Sequence, residues 1–191
     1  MKKYLITDPE LYTQEVKSFE AALRKAFMQH KPDYALYRDK TNPRYKELAS
    51  VFVKVCREFA PLACMLHGDE VVAHELQADG VHLTFTQFEN IAHAKELGLF
   101  TVASTHTDEE IVHAIALGAD AVTFSPIFPS PNKGEPKGLE ALCEVVAKNP
   151  IKVFALGGIV EPWHVEAIAK SGAYGFASIR YFYSPISSFQ S

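Results

Sequence analysis

Cysteine is scarce in this chain: three residues, Cys56, Cys64 and Cys143, odd in number and far apart. No CxxC pair occurs, which argues against a disulfide framework or a zinc ribbon and favours a reducing compartment. Also missing is any apolar run of the roughly 20 residues that a membrane-spanning helix needs. Met1-Lys2-Lys3 leads into only a short apolar stretch before Asp8 and Pro9, too little for the hydrophobic region of a secretory signal. Nor is there an excess of basic residues: 19 Lys and Arg face 23 Asp and Glu, a formal net charge of -4. That balance argues against general nucleic-acid or acidic-membrane partners and leaves room for a local basic pocket. The expectation is a cytoplasmic protein with neither nucleic acid nor membrane as a partner.

What is present is an ordinary globular composition, 48% apolar and 22% charged over 191 residues, enough for one core and one domain spanning residues 1–191. Short apolar runs alternate with longer stretches of helical spacing. The runs are Tyr4–Ile6, Tyr34–Tyr37, Ala63–Leu66, Gly80–Leu83, Phe100–Ser104, Ala121–Phe124, Lys152–Leu156 and Tyr174–Ala177. Between them, helices are predicted over Leu11–Gln29, Arg44–Phe59, Asp69–Gln77, Thr86–Leu97, from Thr107, over Leu139–Lys148 and over Glu161–Lys170. In the second of these, Leu48, Val51 and Val55 fall on one face. Thr107 with Glu110 three residues on is a capping-box signature. A short segment around Arg180–Phe182 follows the last strand.

Eight strand–helix units without a linker predict an α/β fold, a closed (β/α)8 TIM barrel with very short loops. An open doubly wound sheet is the competitor, and it rarely needs eight consecutive units. One pattern recurs where a helix ends and a strand begins: Ala78-Asp79-Gly80-Val81, Gly118-Ala119-Asp120-Ala121-Val122 and Gly172-Ala173-Tyr174-Gly175-Phe176.

In such a barrel, functional residues sit just past the carboxyl ends of the strands. Those positions hold Arg38 and Lys40, His67, His82, Ser104 and His106, the loop Ser125–Lys133, then Gly157-Gly158-Ile159, and Ser178-Ile179-Arg180. Arg38 and Lys40 flank Asp39, so both cations project to one side of an extended segment. The Ser125–Lys133 loop carries Pro126, Pro129 and Pro131, which lower the entropy cost of ordering it, together with Ser130, Asn132 and Lys133 as anion-binding groups. The glycine pair after the seventh strand lets backbone N–H groups approach a phosphate, and Arg180 adds a bidentate contact. His67, His82 and His106 are candidate acid–base groups, or metal ligands if their rings converge. His30, His74, His93, His113 and His164 are expected at the surface, and Trp163 in packing.

Several segments together resemble the thiamine phosphate synthase/TenI family. They are Tyr37-Arg38-Asp39-Lys40, Asp79-Gly80-Val81-His82-Leu83, Ser104-Thr105-His106-Thr107, Gly118-Ala119-Asp120, Ser125–Lys133 and Ala155-Leu156-Gly157-Gly158-Ile159. The resemblance implies a (β/α)8 barrel. It further implies an enzyme of thiamine biosynthesis that joins hydroxymethylpyrimidine diphosphate to thiazole phosphate with release of diphosphate. By the same resemblance Arg38, Lys40 and Lys133 bind the diphosphate with Ser104 nearby, and Ser130 and Asn132 stand where the family has threonines touching the thiazole. Gly158, Ile159, Ile179 and Arg180 surround the thiazole phosphate. Mg²⁺ is the cofactor implied for the synthase.

The chain departs from that pattern where the metal would bind. Leu36 stands where the family has a glutamine, His67-Gly68 where it has Asn-Asp with Asp69 displaced by one, Thr84-Phe85 where it has Gly-Gln, and Gln87 near the metal-binding aspartate. The departures favour the TenI-like branch, whose members shift a proton to aromatise a carboxylated thiazole phosphate and need no metal. The histidine of that branch is Pro126 here, so His106, His82 or His67 is the expected acid–base group. Metal binding is expected at no residue except, as an option, Asp69. The alternatives are the synthase itself or a non-catalytic binder of a phosphorylated ligand. A barrel enzyme for another phosphorylated metabolite is a further option. The expected partners are the two small molecules and a second copy of the chain in a homodimer.

Overall fold

The structure is a computed structural model, describing residues 1–131 and 133–183. Its strands are β1 (Lys2–Ile6), β2 (Tyr34–Tyr37), β3 (Ala63–His67), β4 (Gly80–Leu83), β5 (Phe100–Thr105), β6 (Ala121–Phe124), β7 (Lys152–Leu156) and β8 (Gly175–Ser178). The helices between them are α1 (Val16–His30), α2 (Tyr45–Arg57), α3 (Glu70–Glu75), α4 (Ile91–Glu96), α5 (Asp108–Ala116), α6 (Gly138–Lys148) and α7 (Pro162–Ala169). The strands pair in parallel in sequence order, and β8 closes onto β1 from Lys2↔Gly175 to Leu5↔Ser178. This is the (β/α)8 TIM barrel that the alternation predicts.

Two apolar cores follow from the period of two along each strand. Tyr4, Ile6, Leu36, Met65, Val102, Ala121, Phe154 and Ala177 fill the barrel interior. The alternate residues, among them Leu5, Ala35, Leu66 and Val122, face outward against Leu23, Phe27, Phe52, Ile111 and Leu142 of the helices.

The recurring aspartates have a shared task at the lower, amino-terminal end of the barrel. Each precedes an even-numbered strand and accepts an N–H from the start of the preceding odd one. Asp33 takes Lys3 N–H at 2.9 Å, Asp79 takes Cys64 N–H at 2.7 Å and Asp120 takes Thr101 N–H at 2.7 Å. These bonds satisfy backbone donors where the ladder runs out. In the third copy of the pattern Tyr174 replaces the aspartate, and its hydroxyl meets that of Tyr34 at 3.0 Å.

Two predicted helices differ from the observed ones. The first starts at Val16, not Leu11, because the Glu15 carboxylate caps it by accepting from Lys17 and Ser18 N–H while Tyr12 turns into the core beside Phe19. The stretch from Thr86 to Leu97 is not one helix. A 3-10 segment, Phe85–Asn90, precedes α4, and Gln87 within that segment has a non-helical φ of -119°.

Candidate active site

The upper ends of the strands enclose a cavity of about 470 Å³, a size that suits a small organic ligand. Arg38, Lys40, His67, His82, Ser104, His106, Ser130, Lys133, Gly157, Gly158, Ile159, Ser178, Ile179 and Arg180 all line it. The fold therefore brings together every strand-end candidate among the described residues except Asp69; Asn132 lies outside those residues.

One wall is cationic. Arg38 and Lys40 leave β2 on the cavity side, whereas Asp39 between them points the other way and is buried. Arg38 has its backbone N–H bonded to Thr7 and lies 3.8 Å from the carboxylate of Asp8, a loose pairing. Partial burial, then the charges of Arg38 and Lys133, pull the Lys40 ammonium below its ordinary range. Among the described residues no Asp or Glu lines the cavity, in a chain whose net charge is -4.

A second wall is a backbone cradle. Gly157 and Gly158 have φ of +98° and +70°, the left-handed region that glycine alone enters freely. A side chain at Gly158 would also meet the carbonyl oxygens of Pro129 and Phe128 at 2.5 and 2.6 Å. The β6–α6 loop is tied to this turn, since Ile127 and Phe128 N–H donate to the Leu156 and Gly157 carbonyls. No hydrogen bond among the described residues uses the N–H groups of Gly158, Ile159 or Ile179. Ser178 is committed elsewhere: its hydroxyl donates to Ile159 O at 2.8 Å and accepts from Tyr181 N–H at 3.2 Å, which joins the β7 and β8 loops. Arg180 is exposed at the rim.

Between the two walls lie the histidines. His82 is buried, with Nδ1 3.1 Å from the Tyr4 hydroxyl and Nε2 2.9 Å from Ser104 Oγ. Burial, reinforced by His67 and Arg38, lowers its pKa to about 3. The His67 ring lies 6.2 Å from that of His82, and burial with the charges of Arg38 and Lys40 lowers its pKa to about 4. Both rings are therefore neutral at pH 7. Tyr45 fixes the His67 backbone, donating to its carbonyl and accepting its N–H. His106 donates Nδ1–H to the carbonyl of Ser125 at 3.0 Å, which leaves Nε2 with its lone pair.

A Mg²⁺ ion takes hard oxygen ligands, carboxylates above all. The residues present do not fit one. Asp69 is turned away from the cavity and caps α3 by accepting Val72 N–H at 2.8 Å. Gln87 spends its amide in tying loops together, accepting from Thr84 and donating to Gly68 O at 2.7 Å. Among the described residues no group of three or more His, Cys, Asp or Glu could hold a metal ion.

Sequence reasoning missed Ile6 and Thr86 as lining residues and gave His164 the wrong place. His164 is buried, and its Nδ1 accepts Val160 and Glu161 N–H at the start of α7. Trp163 is 58% exposed, with its ring 5.6 Å from that of Phe128 and 3.8 Å from that of His164. Among the described residues no helix is long and apolar enough to cross a membrane.

Comparison with known proteins agrees along the chain. The family described as thiamine monophosphate synthase matches residues 3–182. A putative thiamine-phosphate synthase of Geobacter sulfurreducens is 39% identical over 140 residues, 70% of this chain and 64% of that protein. The thiamine-phosphate synthase of Synechocystis is 32% identical over 189 residues, 93% of this chain and 51% of the relative. The chain thus spans about half to two thirds of the length of these curated relatives. Among solved structures, thiamine phosphate pyrophosphorylase from Pyrococcus furiosus superposes with a TM-score of 0.80 at 30% identity, over 93% of this chain and 85% of that one.

Proposed function

The chain belongs to the thiamine monophosphate synthase family, and from that premise we propose that it joins hydroxymethylpyrimidine diphosphate to thiazole phosphate and releases diphosphate. The observation that carries this reading is one cavity lined by two sets of groups suited to binding anions. One is the side-chain cluster Arg38, Lys40 and Lys133; the other is the backbone cradle of Gly158, Ile159 and Ile179 with Arg180 at the rim. Two phosphorylated substrates call on both sets, whereas the carboxylated thiazole phosphate of a proton shift brings only a carboxylate to the cationic cluster, where three cations suit a more highly charged group.

The chemistry follows from that placement. The bond between the pyrimidine methylene and the diphosphate oxygen breaks, and its electron pair leaves with the diphosphate. Arg38, Lys40 and Lys133 stabilise the charge that builds on the leaving oxygens, held ready in a partly water-excluded site. The cradle holds the thiazole phosphate, so that the ring nitrogen donates its lone pair to the methylene carbon. Ser104 and Ser130 line the same cavity and offer hydroxyls to either substrate. Proximity of the two bound substrates converts a bimolecular encounter into an oriented transfer.

The tautomerase reading of the same cavity is favoured by one observation, the neutral imidazole of His67 within it. A neutral imidazole can accept a proton from a ring carbon. The two readings part in a paired assay. Purified protein is given the pyrimidine diphosphate with thiazole phosphate, and separately the non-aromatic carboxylated thiazole phosphate, each with added Mg²⁺ and with chelator. Thiamine phosphate formed in the first assay supports the synthase. Aromatisation in the second without product in the first replaces it with the tautomerase, and binding of thiazole phosphate with neither product makes the chain a binder.

A further inference from the structure

The Tyr4 side chain lies inside the barrel, packed in the interior core, and the residue has no exposed surface. Its one hydrogen-bond partner among the described residues is His82 Nδ1. A phenol that accepted a proton from Nδ1 would keep its own O–H buried without an acceptor, and a buried donor left unsatisfied is the costlier arrangement. Tyr4 therefore donates and Nδ1 accepts. In a neutral imidazole the other nitrogen then carries the proton. That nitrogen, Nε2, faces Ser104 Oγ at 2.9 Å, so Ser104 accepts from the ring and its own O–H is left over. Ser104 is half-buried and lines the cavity, and no other partner among the described residues takes that proton.

We propose that Tyr4 is a positioning residue that fixes His82 as the Nε2–H tautomer and so makes the Ser104 hydroxyl a hydrogen-bond donor aimed into the cavity, at an anionic oxygen of the ligand. The chain of donors runs one way, Tyr4 to His82 to Ser104 to ligand. It assigns the imidazole a different task from that of a general base. His82 cannot take a proton from Ser104, because the nitrogen facing that hydroxyl is already protonated. The serine is a donor to an anion and not a nucleophile. The surroundings support the neutral ring: burial above all, then His67 beside it and the charge of Arg38, disfavour an imidazolium. The polarity of the relay also suits the site, because a hydroxyl whose oxygen already accepts a hydrogen bond is the stronger donor.

The tautomer half of the proposal stands on the Tyr4 environment alone; the ligand half rests on the reading of the cavity as an anion site. Long-range ¹H–¹⁵N correlation on protein labelled at histidine nitrogen reads the tautomer directly, with His82 assigned by loss of its signals in His82→Gln. The expected pattern at pH 7 in the unsubstituted protein is neutral Nε2–H. An Nδ1–H tautomer or an imidazolium overturns the proposal without any other variant. Tyr4→Phe removes the donor to Nδ1, so the fixed pattern should give way to Nδ1–H or to a mixture; an unchanged Nε2–H tautomer removes Tyr4 from its role.

Titration with inorganic pyrophosphate tests the other half. Ser104→Ala should weaken binding by about tenfold, the scale of one hydrogen bond to a charged group. Tyr4→Phe should weaken it several-fold, yet add nothing when combined with Ser104→Ala, because both act through one hydroxyl. Additive losses would mean that Tyr4 acts by packing, against the proposal. Failure of the unsubstituted protein to bind pyrophosphate overturns the ligand half along with the diphosphate site, while the nitrogen spectra still decide the tautomer.

Discussion

At the lower end of the barrel the carboxylates are spent on holding the structure together, while at the upper end the cations are left with work to do. Asp33 and Asp120 each accept a strand N–H and also pair with a lysine, Lys2 and Lys95 respectively, and Asp79 accepts Cys64 N–H. Above, Arg38, Lys40, Lys133 and Arg180 line a cavity that has no carboxylate among the described residues, and Asp8 only grazes Arg38 at 3.8 Å. The same eight strands thus carry a neutralised end and a charged one. Self-repulsion at the upper end lowers stability, and the anionic ligands proposed for the cavity would relieve it. The division matches the general rule that stability resides at the bottom of such barrels and chemistry at the top.

Acid should separate the two ends most strongly. The folded-state pKa values of His67 and His82, about 4 and about 3, lie below the ordinary 6.5. Above 6.5 both rings are neutral folded or unfolded, and stability is at its full value. As pH falls below 6.5 the unfolded chain takes up protons that the folded one refuses. Each histidine then costs about 1.4 kcal/mol per pH unit, until the folded values are reached. At the lower end, burial would raise Asp33, but its bonds from Lys2 and Lys3 outweigh that and hold it below its ordinary 3.8. Its contribution is therefore lost only at still lower pH. Urea midpoints taken between pH 8 and 4.5 should fall below 6.5, with a shallower slope for His67→Gln. A flat profile over that range would show that the upper end is not the acid-sensitive one.

Next in size is Lys40→Gln. It should weaken pyrophosphate binding by about tenfold to a hundredfold, the worth of a charge-assisted contact. The urea midpoint should stay level or rise, because a cation repelled by Arg38 and Lys133 has been removed. Isothermal titration beside an unfolding curve reads both, and a destabilised variant would contradict the unpaired character of this wall.

Asp79→Ala is the converse experiment. It leaves Cys64 N–H without its acceptor and should cost about 1–3 kcal/mol in urea unfolding, with pyrophosphate affinity unchanged. The smallest effect is expected for Lys95→Met. The Lys95–Asp120 pair is partly exposed, and such pairs contribute about 0–1 kcal/mol. A larger loss would mean that ion pairs, and not the aspartate–backbone bonds, hold the lower end together.

Much of this arrangement was legible in the residues. The alternation of apolar runs gave eight strands in order, and the position just past each run located Arg38, Lys40, His67, His82, Ser104 and the Gly157-Gly158 turn. The side-to-side period of a strand placed Arg38 and Lys40 together and Asp39 apart. Less legible were features that depend on where a side chain finds its partner. Asp69 could be read as a metal ligand from its type, yet a carboxylate at the start of a helix is as well suited to capping, and that is where it is used. His164 reads as a surface residue of α7, but its ring folds back to accept the N–H groups of Val160 and Glu161 and is buried in doing so. The single helix predicted after β4 is split because Gln87 leaves helical geometry while its side chain ties Thr84 to Gly68.

The sequence by itself determined the order and parallel sense of the strands, and with them the ring of residues at the upper rim, because local periodicity and chain connectivity settle both. Only the tertiary structure decided which of those residues face one another. Tyr4 and His82 stand 78 positions apart, and their hydrogen bond exists because closure of the barrel brings β1 and β4 to face one interior. Burial there fixes the protonation of the imidazole, and no spacing along a chain encodes the dielectric that a side chain will meet.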